Sequence, residues 1–424
     1  MFILTGAVFD LRTHQERSYV GRILYFCKSV KDNVEYGEKH DPDLVWWLCH
    51  RTQWLDKKGI VTTGSTQHPI ATEELLQGPV TWPDFQRYAP EVRDYIHRHF
   101  TYDSEVVPAF AGTAASMSKV FPGGFLFGLP VLFFDLALLW TFLEAARRRI
   151  MSADLEESTG PPSWSWMTWR GDLACPPFWW YNTRSLIKRL DVDAGIIICP
   201  LVQWYYSDAG VARIAIKNEY HKYIHFARDG ESIPPPGWSR TMSSSSKHSS
   251  DMHGNYDYET LGAPGLKFRF PIPLVDTSHT PITLLMPISN IITCQTERAY
   301  FLVAWQGKGV NGGLGVTVEI YDVEGYVVGN MWRSGDAPVP TTADLRVELI
   351  AISTGLAGNR NECYERLYRG KPYTENGDDD GVREFYNLLW IEWTDGIAYR
   401  KAVGQVTKEA WEAADRELIE VKLG

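Results

Sequence analysis

Apolar positions change period along this chain, and the change divides it into regions. Trp82, Phe85, Tyr88, Val92, Tyr95, Ile96 and His99 recur mostly at spacings of three and four, which is one face of a helix. Thr81 and Asp84 resemble a capping box with Asp in the glutamate position, and Pro83 suits a first turn. Pro90 is expected to kink or restart that helix. Asp103 or Ser104 is placed to cap a second helix to about residue 120, and Pro130 to open a third to about residue 150. The first sixty residues have a strand pattern instead, clearest over 19–27 and 43–49. A polar, turn-rich connection over 56–80 separates them from the helical block.

From residue 162 onward the pattern alternates or forms short β-branched and aromatic runs, which predicts strands. They are expected at 196–199, 201–206, 211–216, 223–226, 268–270, 300–305, 315–321, 326–332 and 347–353. A pair at 386–393 and 397–406 is turned by Asp395-Gly396, a hairpin signal, and a short amphipathic helix at 408–415 follows. The stretch 228–265 holds Pro234-Pro235-Pro236-Gly237 and a serine run with almost no aliphatics, so a disordered insertion is expected there. Residues 375–380 are acidic and predict a solvated loop.

One run stands apart. Pro161-Pro162-Ser163-Trp164-Ser165-Trp166-Met167-Thr168-Trp169 places three tryptophans within six residues. Trp164 and Trp166 alternate with serines, so in an extended strand both indoles share a face. A core strand is the expectation, with each indole N–H needing a partner.

Composition narrows the function classes. The chain has 424 residues, 17 tryptophans and 21 tyrosines, which suits a large aromatic β core. Its net charge of −10 argues against a general nucleic-acid binder, because phosphate neutralisation needs a basic face. The six cysteines are scattered with no C-x-x-C pair, so zinc and redox motifs are absent and buried thiols are expected. The N-terminus lacks the basic segment of a signal peptide, which makes a cytoplasmic location the default. Residues 125–143 are nearly all apolar and precede Arg147-Arg148-Arg149, as a membrane anchor would. Asp135 lies near their centre, however, and a buried helix is the better reading.

Chemical motifs are few. Gly307-Lys308-Gly309-Val310-Asn311-Gly312 matches a dinucleotide fingerprint, but β-branched residues follow it where a helix is required, so a hairpin loop is expected. His221 and His225 have metal-pair spacing on a helix, yet their surroundings predict a strand and edge positions. No G-x-S-x-G elbow is present. No cofactor and no metal are expected.

The tryptophan run resembles a signature in the C-terminal half of fungal heterokaryon-incompatibility proteins, the HET-domain family. Four further stretches resemble that family in the same order. They are Gln15-Glu16-Arg17 with Arg22-Ile23-Leu24-Tyr25-Phe26, then Leu44-Val45-Trp46-Trp47-Leu48-Cys49. Next comes the segment from Tyr102 through Gly112, leading to Gly128 and Asp135, and last Trp390, Tyr399 and the closing Leu423-Gly424. The HET core of the family extends far upstream of its Gln-Glu-Arg segment, so the resemblance implies the tail of such a protein. It implies an α+β fold: a remnant of the HET core over 1–60, a helical block over 81–150, and an aromatic-rich, mostly antiparallel β domain over 161–424. It also implies self/non-self recognition and regulated cell death, exerted by binding a protein partner rather than by catalysis. HET cores are similar to TIR domains, some of which cleave NAD, so Glu16 is the candidate catalytic carboxylate if a complete core is enzymatic. Gln15, Arg17, Tyr102, Gly128, Asp135, Trp164, Trp166, Trp169, Trp390 and Tyr399 are the structural positions of the resemblance.

Overall fold

A computed structural model describes residues 2–4, 7–9, 82–96, 98, 100, 102–142, 146–149, 160–171, 173–174, 196–207, 213–227, 232–242, 256–275, 290–304, 317–333, 345–358 and 382–424. The chain divides into two compact units, Met1–Glu73 and Glu74–Gly424. In the first unit, β1 (Phe2–Leu4) and β2 (Ala7–Phe9) pair antiparallel, with Phe2 opposite Phe9. The strands expected at 19–27 and 43–49 lie outside the described residues, as do Gln15, Glu16 and Arg17.

The second unit opens with the predicted helical stripe. The helix Phe85–Ile96 buries Phe85, Tyr88, Val92, Tyr95 and Ile96, with Trp82 packed just before it. Asp84 Oδ1 accepts from the Arg87 backbone N–H at 3.4 Å, so the N-terminal cap is Asp84. The helix runs through position 90 without a break, where a kink or restart was expected. A short turn at Asp103–Glu105 leads into the helix Val106–Met117, close to the predicted bounds.

The third helix is a correction. β3 (Phe125–Leu126) and β4 (Leu129–Pro130) form a tight ribbon, and a single turn at Val131–Phe133 precedes a four-residue helix, Phe134–Ala137. The chain then extends into β5 (Thr141–Phe142) and β6 (Arg147–Arg148). A run apolar on all sides carries no helical period of its own, so tertiary packing chose its shape. Phe125 through Phe142 are nevertheless all buried, as expected. Among the described residues no helix is long and apolar enough to cross a membrane.

The tryptophan run is also not a strand. Ser163–Ser165 turn, Trp166–Thr168 form a single 3-10 turn, and only then does β7 (Trp169–Arg170) pair with β6. β8 (Leu173–Ala174) pairs with β5. Ser165 causes the turn: its hydroxyl accepts from the Met167 N–H at 3.0 Å, a side-chain cap that a strand would not allow.

The β region then follows. Its first strands are β9 (Ile196–Pro200), β10 (Tyr205–Tyr206) and β11 (Ile214–Ala215). Residues 223–226, expected as strand, fall in turns instead, with a 3-10 turn at Ile224–Ala227. β12 (Trp238–Met242) and β13 (Tyr256–Thr260) make an antiparallel ribbon inside the stretch expected to be structureless. Tyr258 and Ala263 supply its anchorage, both fully buried, and the Trp238 indole donates to the Ile272 carbonyl at 3.0 Å. A few aromatics thus outweighed the polar average of that segment. The serine run itself, 243–250, lies outside the described residues, as do 307–312 and 375–380.

Six further strands follow: β14 (Ile292–Ala304), β15 (Thr317–Tyr321), β16 (Val327–Arg333), β17 (Leu345–Gly358), β18 (Val382–Thr394) and β19 (Ile397–Thr407). The short helix Lys408–Ala413, capped by the Thr407 hydroxyl, leads to β20 (Glu417–Leu423), which sequence periodicity did not predict. The order of pairing is β14–β15–β16–β19–β18–β17, and β17 pairs back onto β14. The sheet is therefore a closed six-stranded antiparallel barrel. β20 extends it, pairing with β14 over Ile292–Arg298.

Side-chain alternation sorts the residues of this barrel. Phe301, Val303, Val318, Ile320, Leu349, Leu388, Trp390, Val406 and their neighbours fill the interior, and Trp411 from the short helix joins them. A ring this narrow is packed solid by its own side chains. The alternate positions point outward. Cys294, Ile350, Ile352, Phe385, Leu389 and Val403 form a second core with the helical block and the tryptophan run. The helices thus pack on the outside of the barrel, in a core distinct from the one that fills it.

Candidate functional site

Every tryptophan of the signature run is buried, and each indole N–H has a partner. Trp164 donates to the Asn290 carbonyl at 3.1 Å, Trp166 to the Tyr88 hydroxyl at 3.1 Å, and Trp169 to the Ser163 carbonyl at 3.3 Å. Tyr88 passes the chain on to the Gly128 carbonyl at 2.7 Å, and burial pushes its phenol well above the usual value. Gly128 has φ +81, and a Cβ there would lie 2.7 Å from Met167 Cε and 2.8 Å from Trp166 Cζ2. Gly128 therefore matters for space as well as for backbone shape. The run is a clasp between helices and barrel.

The clasp reaches the barrel through Arg400. Its backbone N–H donates to Ser163 Oγ at 2.9 Å, and Ser163 Oγ donates to the Gly424 carbonyl. The Arg400 guanidinium is wholly buried, lies 3.5 Å from the Trp140 ring centroid and donates to the Trp140 carbonyl. Burial lowers its pKa far below the usual arginine value. A cation–π contact in so dry a place offsets part of that desolvation. Tyr399, next in the chain, is half-buried, and Trp390 lies in the barrel interior. Ala398-Tyr399-Arg400 belongs to the C-terminal stretch of the resemblance, but its periodicity says nothing of burial at Arg400, whose partners lie more than two hundred residues away along the chain.

Asp135 occupies the apolar run as a buried acid. Its carboxylate accepts from Asn218 Nδ2, and burial raises its pKa to about 7 against that hydrogen bond. Its charge also pushes the nearby Tyr220 phenol and Cys199 thiol upward, after burial itself. Tyr220 donates to the Ile198 carbonyl at 2.8 Å and stacks on Phe133. The arrangement ties the apolar run to β9. Cys294 is buried with a raised thiol pKa, as scattered core cysteines should be. His221 is half-buried and His225 exposed, in turns rather than on a strand or one helix face. No group of three or more His, Cys, Asp and Glu side chains could hold a metal among the described residues. The strands flanking 307–312 pair antiparallel, Leu302 opposite Tyr321, which is a hairpin and not a dinucleotide-binding crossover.

The outward face of the barrel carries the remaining chemistry. Along β14 the outward positions begin under the tryptophan clasp (Ile292, Cys294) and end in the open (Arg298, Tyr300, Leu302). β17 and β18 repeat this: Ile350 and Ile391 are covered, whereas Arg346, Glu348 and Trp393 continue beyond the cover. Glu348 is the hub. It accepts from the Trp393 indole at 3.0 Å, the Tyr300 hydroxyl at 3.2 Å and Arg298 Nη1 at 3.2 Å. Arg298 also pairs with Glu417 at 2.6 Å, and the Arg346 guanidinium sits 4.7 Å above the Tyr300 ring. Burial and the Glu348 charge raise the Tyr300 phenol, while Glu417 holds Arg298 protonated. Tyr300 stays 41% exposed and Trp393 38%, with Leu302 beside them. Tyrosine, tryptophan and arginine held in fixed rotamers are the side chains that anchor protein interfaces. Periodicity along single strands could not reveal this patch, since barrel closure brings its members together. Tyr102 is solvent-exposed and lies in the turn before the helix Val106–Met117.

Comparison with protein-family models, with curated proteins and with solved structures finds no match to this chain.

Proposed function

We infer that this chain is a recognition protein of the HET type, working in self/non-self discrimination and regulated cell death by docking a protein partner. The reading joins the ordered sequence resemblance to one structural observation: the exposed patch around Glu348, carried on a barrel whose interior is filled. A rigid scaffold with aromatic and arginine anchors at its surface suits binding. The clasp tryptophans serve as scaffold in this reading, because their rings and N–H groups are spent inside the fold. The site of action in this reading is cytoplasmic.

The test compares the full chain with a Tyr300→Ala/Trp393→Ala double variant in a fungal host. Equal melting temperatures must first establish that both fold. Wild-type expression should arrest growth and recover a defined partner on affinity purification, and the double variant should do neither. Identical phenotypes and partner sets would remove the patch from the reading. NAD consumption by the purified chain, lost on Glu16→Ala, would replace binding by catalysis.

A further inference from the structure

The charges of the Glu348 patch are not evenly matched. On β14 and β17, Tyr300 stands opposite Glu348 and Leu302 opposite Arg346. Arg298 has two carboxylates, Glu348 at 3.2 Å and Glu417 at 2.6 Å. Glu348 is engaged in turn, since Arg298, Tyr300 and Trp393 all donate to it and its side chain is only 11% exposed. Arg346 differs from both. Among the described residues no carboxylate pairs with it, and its exposed guanidinium rests on the Tyr300 ring. A cation–π contact at an exposed site is weak, and it leaves the N–H donors of the fork unengaged.

Apolar surface surrounds this cation. Leu302 lies directly across from it on β14. On β18, Trp393 stands two residues beyond Ile391, the partner of Glu348, and so is level with Arg346 on the other side. Leu302, Tyr300 and Trp393 are all exposed. Barrel closure and the hydrogen bonds to Glu348 hold the aromatic members in place, so an incoming chain would meet an ordered surface.

We propose that the patch docks a segment of a partner protein in which a carboxylate, Asp or Glu, lies beside a bulky apolar side chain. The inference rests on the reading of the patch as a docking surface and names what that surface recognises. The carboxylate engages the Arg346 fork through both oxygens. The apolar side chain covers Leu302 and Trp393 and excludes water from the ion pair. A basic segment would meet Arg346 with a like charge, and the nearby Glu348 is already engaged. A second copy of this chain suits the patch less well. It would bring another net charge of −10 and, across a two-fold axis, the same Arg346.

A phage-displayed library of random peptides, selected on the folded full chain and counter-selected on the Tyr300→Ala/Trp393→Ala variant, tests the proposal. Enriched peptides should share Asp or Glu close to Leu, Phe or Trp. Fluorescence anisotropy with the most enriched peptide should show binding weakened about tenfold by Arg346→Gln and roughly thirtyfold by Trp393→Ala. Arg240→Gln, which removes an arginine stacked on Tyr256 in the β12–β13 ribbon, should leave binding unchanged. Replacing the acidic residue of the peptide by Lys should abolish binding to the wild type and restore it on Arg346→Glu, an exchange that no folding defect would produce. No enriched peptide, a basic or uncharged motif, equal affinity for Arg346→Gln, or failure of the charge exchange would overturn the proposal. So would a wild-type dimer in sedimentation that Trp393→Ala loses, which would give the patch to a second copy. The two readings fail separately. A peptide held through Arg346 by a chain that arrests no growth would remove the cell-death role and leave the partner chemistry standing. A cellular partner bound equally by Arg346→Glu would remove the chemistry and leave the docking surface.

Discussion

Gly128 and Gly396 share nearly the same backbone, φ +81 and +76, yet their surroundings differ. Nothing lies within 4 Å of a Cβ at Gly396, so Gly396→Ala should cost only the left-handed conformation, about 1 kcal/mol. At Gly128 the same methyl meets Met167 and Trp166, and the added overpacking should bring the cost to about 2–4 kcal/mol. Urea unfolding of the two variants measures the difference; equal losses would mean the tryptophan clasp yields freely. Asp135 gives a pH signature at this same scale. Its pKa rises from 3.8 unfolded to about 7 folded, so the folded state holds the proton more tightly. Its burial is harmless below pH 3.8, and stability then falls as pH climbs to about 7. Asp135→Asn should remove that slope and be the more stable form above pH 7, by on the order of 4 kcal/mol at most. Unfolding free energies at pH 5 and pH 8 check it; a wild type more stable at pH 8 with no help from Asn would refute the sign.

Strands β16 to β19 share a feature that no single one of them displays. Ser353, Asn387, Gln405 and Asn330 occupy one row across β17, β18, β19 and β16, and all four are buried. Gln405 donates to Asn387 Oδ1 at 2.8 Å, and Asn387 Nδ2 donates to Ser353 Oγ at 3.0 Å. Such a row fixes register, because sliding one strand by a residue would strand every member without a partner. Asn387→Leu should therefore cost about 2–4 kcal/mol despite adding apolar surface, as two buried groups lose their bonds. Thermal denaturation reads the loss, and Leu at no cost would leave the row without structural meaning. The hairpin of β18 and β19 was legible in sequence because Asp395-Gly396 is a local signal, and both residues do take positive φ. The tryptophan run was legible as core yet not as a turn, since the Ser165 cap outweighed the alternation that predicted a strand. β20 was missed because its only buried positions are Val421 and Leu423, too few to show a period.

At the scale of the whole molecule, closure of β17 onto β14 decides how the unit behaves. It removes the exposed edges that an open sheet would present and seals the interior around Trp390 and Trp411. Backbone amides of β14, β17 and β18 should therefore exchange with solvent only through global unfolding, whereas those of the β12–β13 ribbon should open locally. Hydrogen exchange resolves the two classes, and a single common rate would show that ribbon and barrel unfold together. Closure also makes the Glu348 patch, by setting the outward positions of β14, β17 and β18 side by side. The sequence by itself determined the helical stripe from Trp82 to Ile96, the β18–β19 hairpin and most of the long strands, the burial of the signature tryptophans and the acidic net balance, because period, turn chemistry and composition are local quantities. Only the tertiary structure decided that the strands form a ring, that the apolar run around Asp135 folds as short turns, and that Arg400, Glu348 and Arg346 acquire their neighbours. Those outcomes depend on contacts between residues far apart in the chain, whose free energy no local window contains.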